Sequence, residues 1–139
     1  MVHALKEAWR VLPAGGIMID VRPLSVVIPL EVVYEGVSET AGMADMSPDL
    51  ETDIAADKAL ETVLGEGMFK QSSMELFDYA YYWKTYHGMV VDLEERWQDE
   101  IIISKEVFEN THRLYSQHRP SARIRLPMRM KLGKFIKLG

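Results

Sequence analysis

Between residues 2 and 12, apolar side chains recur at Leu5, Ala8, Trp9 and Leu12. That is the spacing of one helical face and predicts a short amphipathic helix. Pro13 and the Gly15-Gly16 pair stop it, because glycine accepts the positive φ that a helix end requires. Ile17, Met18, Ile19 and Val21 then form a compact strand, expected over residues 16 to 23, with both faces apolar. Such a strand normally lies inside a sheet. Residues 25 to 35, SVVIPLEVVYE, are again β-branched, but Pro29 removes a ladder donor and demotes the run to an edge, bulged or broken strand. Gly36 turns the chain back into a weak strand near residues 37 to 43, so a hairpin is expected over about 25 to 43.

Ser47-Pro48 opens the next helix, with serine as N-cap, proline at the first helical position and Asp49, Glu51 and Asp53 in the first turn, where the helix dipole favours acids. It is expected to end near Leu64. Residues 74 to 83, MELFDYAYYW, alternate strictly: Phe77, Tyr79, Tyr81 and Trp83 take one face and Asp78, Ala80 and Tyr82 the other. This is a strand pattern. Tyr86, Val90, Leu93 and Trp97 make a helical stripe, supported by Asp92 four residues before Arg96. Ser104 can cap a further helix that turns Val107, Thr111 and Leu114 inward and ends near His118. The last element, expected over 121 to 132, sets Ala122, Ile124, Leu126, Met128 and Met130 against Arg123, Arg125, Pro127, Arg129 and Lys131. One face of that strand is buried and the other cationic, and Pro127 marks a bulge or a place without a ladder partner. Together these elements predict an α+β domain: a short mixed, largely antiparallel sheet with three to four helices. A length of 139 residues suits a single domain spanning 1–139.

Composition narrows the function classes. No uncharged apolar run reaches the roughly 18 residues of a membrane span, and Lys6, Glu7 and Arg10 interrupt the N-terminus where a signal peptide needs an apolar core. No membrane partner and a cytoplasmic location are therefore expected. The chain has no cysteine, which excludes disulfides, a thiol nucleophile and thiolate metal sites. The net charge of −5 hides a division. Residues 119 to 139 carry seven basic residues and no acid, leaving nine basic and twenty-one acidic residues, a balance of −12, in the remainder. Tail and body should attract each other, which makes the basic strand a poorer nucleic-acid patch than its own charge suggests.

The stretch RVLPAGG followed by IMIDVRP resembles the passage into the fifth strand of class I S-adenosylmethionine-dependent methyltransferases. The later elements extend the likeness. FDYAYYW corresponds to a sixth strand, HGMVVDLEERW to a helix of a lid-like region, and ARIRLPMRMKLGKFIKL to the reversed seventh strand. The resemblance implies the C-terminal half of a Rossmann-like methyltransferase fold. In that family the first half holds the cofactor through a glycine-rich loop after strand one and an acid ending strand two. Here the only G-x-G, Gly65-Glu66-Gly67, falls at the end of a helix rather than its start. The resemblance thus brings no cofactor-binding residue, no catalytic residue and no expected cofactor.

Candidate chemistry remains at a few positions. Asp20 and Arg22 lie at the end of the first strand, where sheets of this type place ligand contacts; they can equally pair with each other or with the Arg-rich strand. Tyr79, Tyr81, Tyr82 and Trp83 can line a small-molecule pocket or be core with polar tips at the rim. Asp49, Asp53 and Asp57 share one helical line, which without a wrapping loop reads as a solvated face, and the histidines show no metal-ligand spacing, so no metal site is expected. Arg123, Arg125, Arg129 and Lys131 form the basic face. Three functions follow: a non-catalytic interaction or small-molecule-binding domain, a methyltransferase whose cofactor half is absent from this chain or supplied by a partner, and a nucleic-acid binder using the basic strand. In the resembling fold the strand at 16–23 has a neighbour on its other side. A homodimer through that strand is expected to cover it.

Overall fold

The structure, a computed structural model, describes residues 1–24 and 26–139. The described residues form α1 (Val2–Val11), β1 (Ile17–Pro23), β2 (Val27–Tyr34), β3 (Val37–Asp45), α2 (Leu50–Gly65), β4 (Phe69–Trp83), α3 (Tyr86–Arg96), α4 (Lys105–Gln117) and β5 (Arg123–Lys137). The fold is α+β, with four helices and an open, antiparallel five-stranded sheet. No helix among the described residues is long and apolar enough to cross a membrane. The hairpin's expected first residue, Ser25, lies outside the described residues. The chain divides into two compact units, one of Met1–Leu24, Leu50–Phe77 and Met130–Gly139, the other of Ser25–Asp49 and Asp78–Arg129.

In the first unit β1 runs antiparallel to the end of β5, from Ile17 opposite Ile136 to Pro23 opposite Met130. Met18 and Phe135 therefore share a face, and they pack with Leu60, Val63 and Phe69 and with the α1 stripe of Leu5, Trp9 and Leu12. The predicted helix and turn form as expected, Gly15 taking a φ of 73° just past α1. The helix end is held by Lys137. Its ammonium donates to the Leu12 carbonyl at 2.6 Å and lies 4.3 Å from the centre of the Trp9 ring. A cation suits both the orphan carbonyls of a helix end and an aromatic face.

In the second unit β2 and β3 form the expected hairpin. Its register shifts between Leu30, opposite Gly42, and Glu31, opposite Thr40, so Ala41 is an extra bulged residue. A bulge takes a carbonyl out of the ladder, and Asn110 of α4 satisfies that of Ala41 at 3.2 Å. α4 begins as expected, the Val107 N–H donating to Ser104 Oγ, and buries Val107, Thr111 and Leu114. β2 meets β5 only over Glu31–Val33, with Glu31 opposite Arg125. Continuing that register by two residues sets Pro29 opposite Pro127. Neither has an N–H to give, so the ladder stops there.

Three boundaries differ from expectation. Ser47 does not cap an α-helix: Ser47–Asp49 is a 3₁₀ turn whose first N–H donates to Asp45 Oδ1 at 2.8 Å, and α2 starts at Leu50. β4 begins at Phe69, five residues before the aromatic alternation, because Phe69 anchors the first core while the polar residues after it are exposed on both faces. β5 continues five residues past Leu132, since β1 pairs along it beyond Gly133.

A Cβ added at Gly42 would lie 2.3 Å from Val107 Cγ2. Gly42→Ala is expected to lower unfolding stability by about 1–3 kcal/mol, the usual cost of overpacking, without loss of helical signal at low temperature; chemical denaturation followed by circular dichroism measures it.

Candidate functional site

Asp20 and Arg22 are brought together on the helix-facing side of β1, by the alternation that also turns Met18 to the core. The Arg22 Nε donates to both carboxylate oxygens of Asp20 at 3.2 and 2.9 Å. Its Nη1 donates to the Asp53 carbonyl at 2.9 Å, and its Nη2 to Asp57 Oδ1 at 2.6 Å. With its side chain 13% exposed, this guanidinium fastens β1 to α2. The hydrogen bond from Arg22 is the main reason the Asp57 carboxyl is held below its usual range, against a smaller upward push from burial. Lys131 of β5 reaches the same carboxylate at 3.4 Å. Asp20 and Arg22 therefore pair with each other, and the basic strand reaches this cluster only through the contact of Lys131 with Asp57. Beside these groups a cleft of about 230 Å³ opens, its apolar lining supplied by Leu60, Leu64, Met74 and Phe135.

The aromatic residues of β4 do not form one stripe of core. Tyr79 and Tyr82 are exposed, Tyr81 is half-buried and Trp83 is buried. Tyr81 and Trp83 join Trp97 in a cluster with ring centres 4.9, 5.5 and 6.3 Å apart. Rings this close contact one another and leave no gap for a ligand cation between them. Their focus is Asp92, 9% exposed, whose Oδ2 accepts from Trp83 Nε1 at 2.8 Å. Its Oδ1 pairs with Arg96 Nε at 2.9 Å but accepts no well-directed hydrogen bond. Burial pushes the Asp92 carboxyl up, yet the Trp83 hydrogen bond, the Arg96 charge and contributions from Tyr81 and Trp97 outweigh it and hold the carboxyl below its usual range. Burial, with Asp92 alongside, pushes the Tyr81 phenol up.

The basic face is largely engaged by acids. Arg125 donates to Glu31 through Nε at 2.9 Å and Nη2 at 2.5 Å, and Arg129 Nη1 donates to Asp78 at 2.7 Å. Arg123 instead donates to the carbonyls of Pro120 and Ala122. Where the β2–β5 ladder stops, Pro29, Tyr79, Arg125, Pro127 and Arg129 line an open depression of about 460 Å³. Tyr79 thus sits with two of the basic candidates, while Tyr81 and Trp83 belong to the Asp92 cluster.

Sequence reasoning named the first-strand pair but not Asp57, which it placed on a solvated acidic line, and it read Asp92 only as support for its own helix. One signal existed for Asp92: a carboxylate four residues before Arg96, on a helix that follows a tryptophan-ended strand. His112 packs against the Tyr86 ring, with ring centres 4.5 Å apart. No known protein family, curated protein or solved structure matches this chain.

Asp92→Asn is expected to cost about 1–3 kcal/mol, the penalty for a disturbed buried hydrogen-bond partner. Because the folded carboxyl titrates below its unfolded value of about 3.9, its contribution is complete above that pH and is lost as pH falls toward the folded value. Tryptophan emission followed through acid titration should show the wild type losing its stability margin over the variant in that window.

Proposed function

We propose that this chain is a methyltransferase-derived domain that carries no S-adenosylmethionine site of its own and acts as an interaction module, docking β1 onto β1 of a second copy. The observation that carries this reading is the state of β1. It pairs with β5 alone among the described strands, so its outer edge takes no ladder partner there. Ile17, Ile19 and Val21 on its outer face are 50%, 50% and 46% exposed. The register places Ile136 and Leu132 opposite Ile17 and Val21, with Lys134 between them opposite Ile19. Edges are normally blunted by outward charges, bulges or covering elements, and the charges of β1, Asp20 and Arg22, are both tied down on the opposite face.

The order of elements supports the derivation: the last strand lies antiparallel to β1 and also pairs with β4, as a reversed last strand would, although here it pairs with β2 as well. The sequence argues against autonomous methyl transfer, since no glycine-rich turn opens a helix. The vacant β1 edge equally favours a second reading, in which a separate segment or partner chain supplies a cofactor-binding half. The ion pairs on Arg125 and Arg129 weigh against nucleic-acid binding.

Sedimentation velocity at micromolar concentration is expected to show a dimer. Ile19→Lys should dissociate it by at least about 100-fold, because a two-fold interface loses two buried isoleucines of about 1.5–3 kcal/mol each. A wild-type monomer under those conditions overturns the self-association reading and leaves the second.

A further inference from the structure

The cleft of the first unit owes its existence to Gly133. This residue sits mid-strand in β5 opposite Asp20, and the Phe135 ring folds so far over it that an added Cβ would lie 2.7 Å from Cε2. The result is an apolar floor in place of a row of side chains, walled by α2 on one side and by β4 on another. At about 230 Å³ it falls below the roughly 300–1,000 Å³ of pockets that hold drug-sized ligands.

The polar groups around this floor differ in how far they are satisfied. Arg22 is engaged by Asp20, Asp57 and the Asp53 carbonyl, so it is a wall rather than a binding group. Lys131 is not. Its side chain is only 23% exposed, and its ammonium makes one contact, the 3.4 Å approach to Asp57, leaving donors without partners in a sheltered position. Glu61, one turn beyond Asp57 on α2, and the Gln71 amide on β4 also line the cleft and have no hydrogen-bond or ion-pair partner among the described residues. The cleft therefore presents an underused cation, an underused anion and an amide around an aliphatic and aromatic floor.

We propose that this cleft binds a free α-amino acid with an aliphatic side chain. Its carboxylate is taken by Lys131, its ammonium by Glu61, and its side chain lies on Leu64, Met74 and Phe135. A simple amine would leave Lys131 unanswered and meet its repulsion, and a simple carboxylate would do the same with Glu61; the zwitterion satisfies both. This proposal goes beyond the docking of β1, whose exposed side chains lie on the opposite face of that strand, and it holds for a monomer as well as for a dimer.

The test is a titration of the full chain, followed by amide ¹H–¹⁵N shifts, with L-leucine, with 3-methylbutylamine, which lacks the carboxylate, and with 4-methylpentanoate, which lacks the ammonium. Leucine is expected to saturate in the millimolar range, with shifts at Gly133 and the Gln71 side chain, and to bind at least about tenfold more tightly than either half-ligand. Lys131→Met and Glu61→Gln should each weaken leucine about tenfold; Glu61 is exposed on α2, so its variant serves if the lysine variant fails to fold. The proposal is overturned if leucine produces no saturable shifts at the cleft up to about 10 mM, if a half-ligand binds as well as leucine, or if folded Glu61→Gln binds leucine unchanged.

Discussion

Three strands hydrogen-bond to the last one, and this makes β5 the constraint on which the remaining architecture rests. β1 takes its end, β2 its beginning, and β4 pairs with it as well. Its alternation supplies the buried Ile124, Leu126 and Met128 of one unit and Phe135 of the other. A strand carrying so many partners cannot shift register by one residue without turning every one of these side chains outward. The two openings beside it occur where β5 lacks something a strand normally offers. At Gly133 the missing side chain admits the Phe135 ring and a cleft, and at Pro127 the missing N–H, met by the same deficiency at Pro29, ends a ladder.

The charge division between tail and body resolves into particular pairs whose energies differ. Arg129 with Asp78 is exposed on both sides, 47% and 84%, and such pairs contribute little, about 0–1 kcal/mol or less. Their consequence is to neutralise a face that sequence alone offers to phosphate. Arg22 and Asp92 belong to another class. Each is largely withdrawn from water and meets several partners at once, so removing any one would leave a sheltered charge unsatisfied. One joins a strand to a helix; the other gathers Tyr81, Trp83 and Trp97 around a carboxylate.

Local patterns made most elements legible. The α1 stripe, the Ser104 cap and the alternation of β5 are short-range physics, in which a residue and its neighbours a few positions away settle the backbone. Two of the misses share one cause. The start of β4 is polar on both faces and the end of β5 is interrupted by glycine, so neither has a pattern of its own; each is a strand because a distant partner hydrogen-bonds to it. Ser47-Pro48 carries a good helix-start signal, yet the Asp45 carboxylate two residues earlier captures its N–H. The aromatic residues of β4 were the least legible, because alternation tells which side chains share a face but not whether anything covers that face.

What this sequence determined by itself is the α+β class, the order and nearly all positions of its helices and strands, and the segregation of acid from base, since each follows from periodicity, turn residues and composition. Tertiary structure alone decided which charges meet, that Asp57 rather than a free acidic line answers Arg22, that Asp92 is a buried hub, and that Ile17, Ile19 and Val21 stay half in water. Those outcomes depend on side chains separated by tens of residues in the chain arriving within a few ångströms of one another, and no local pattern encodes that meeting.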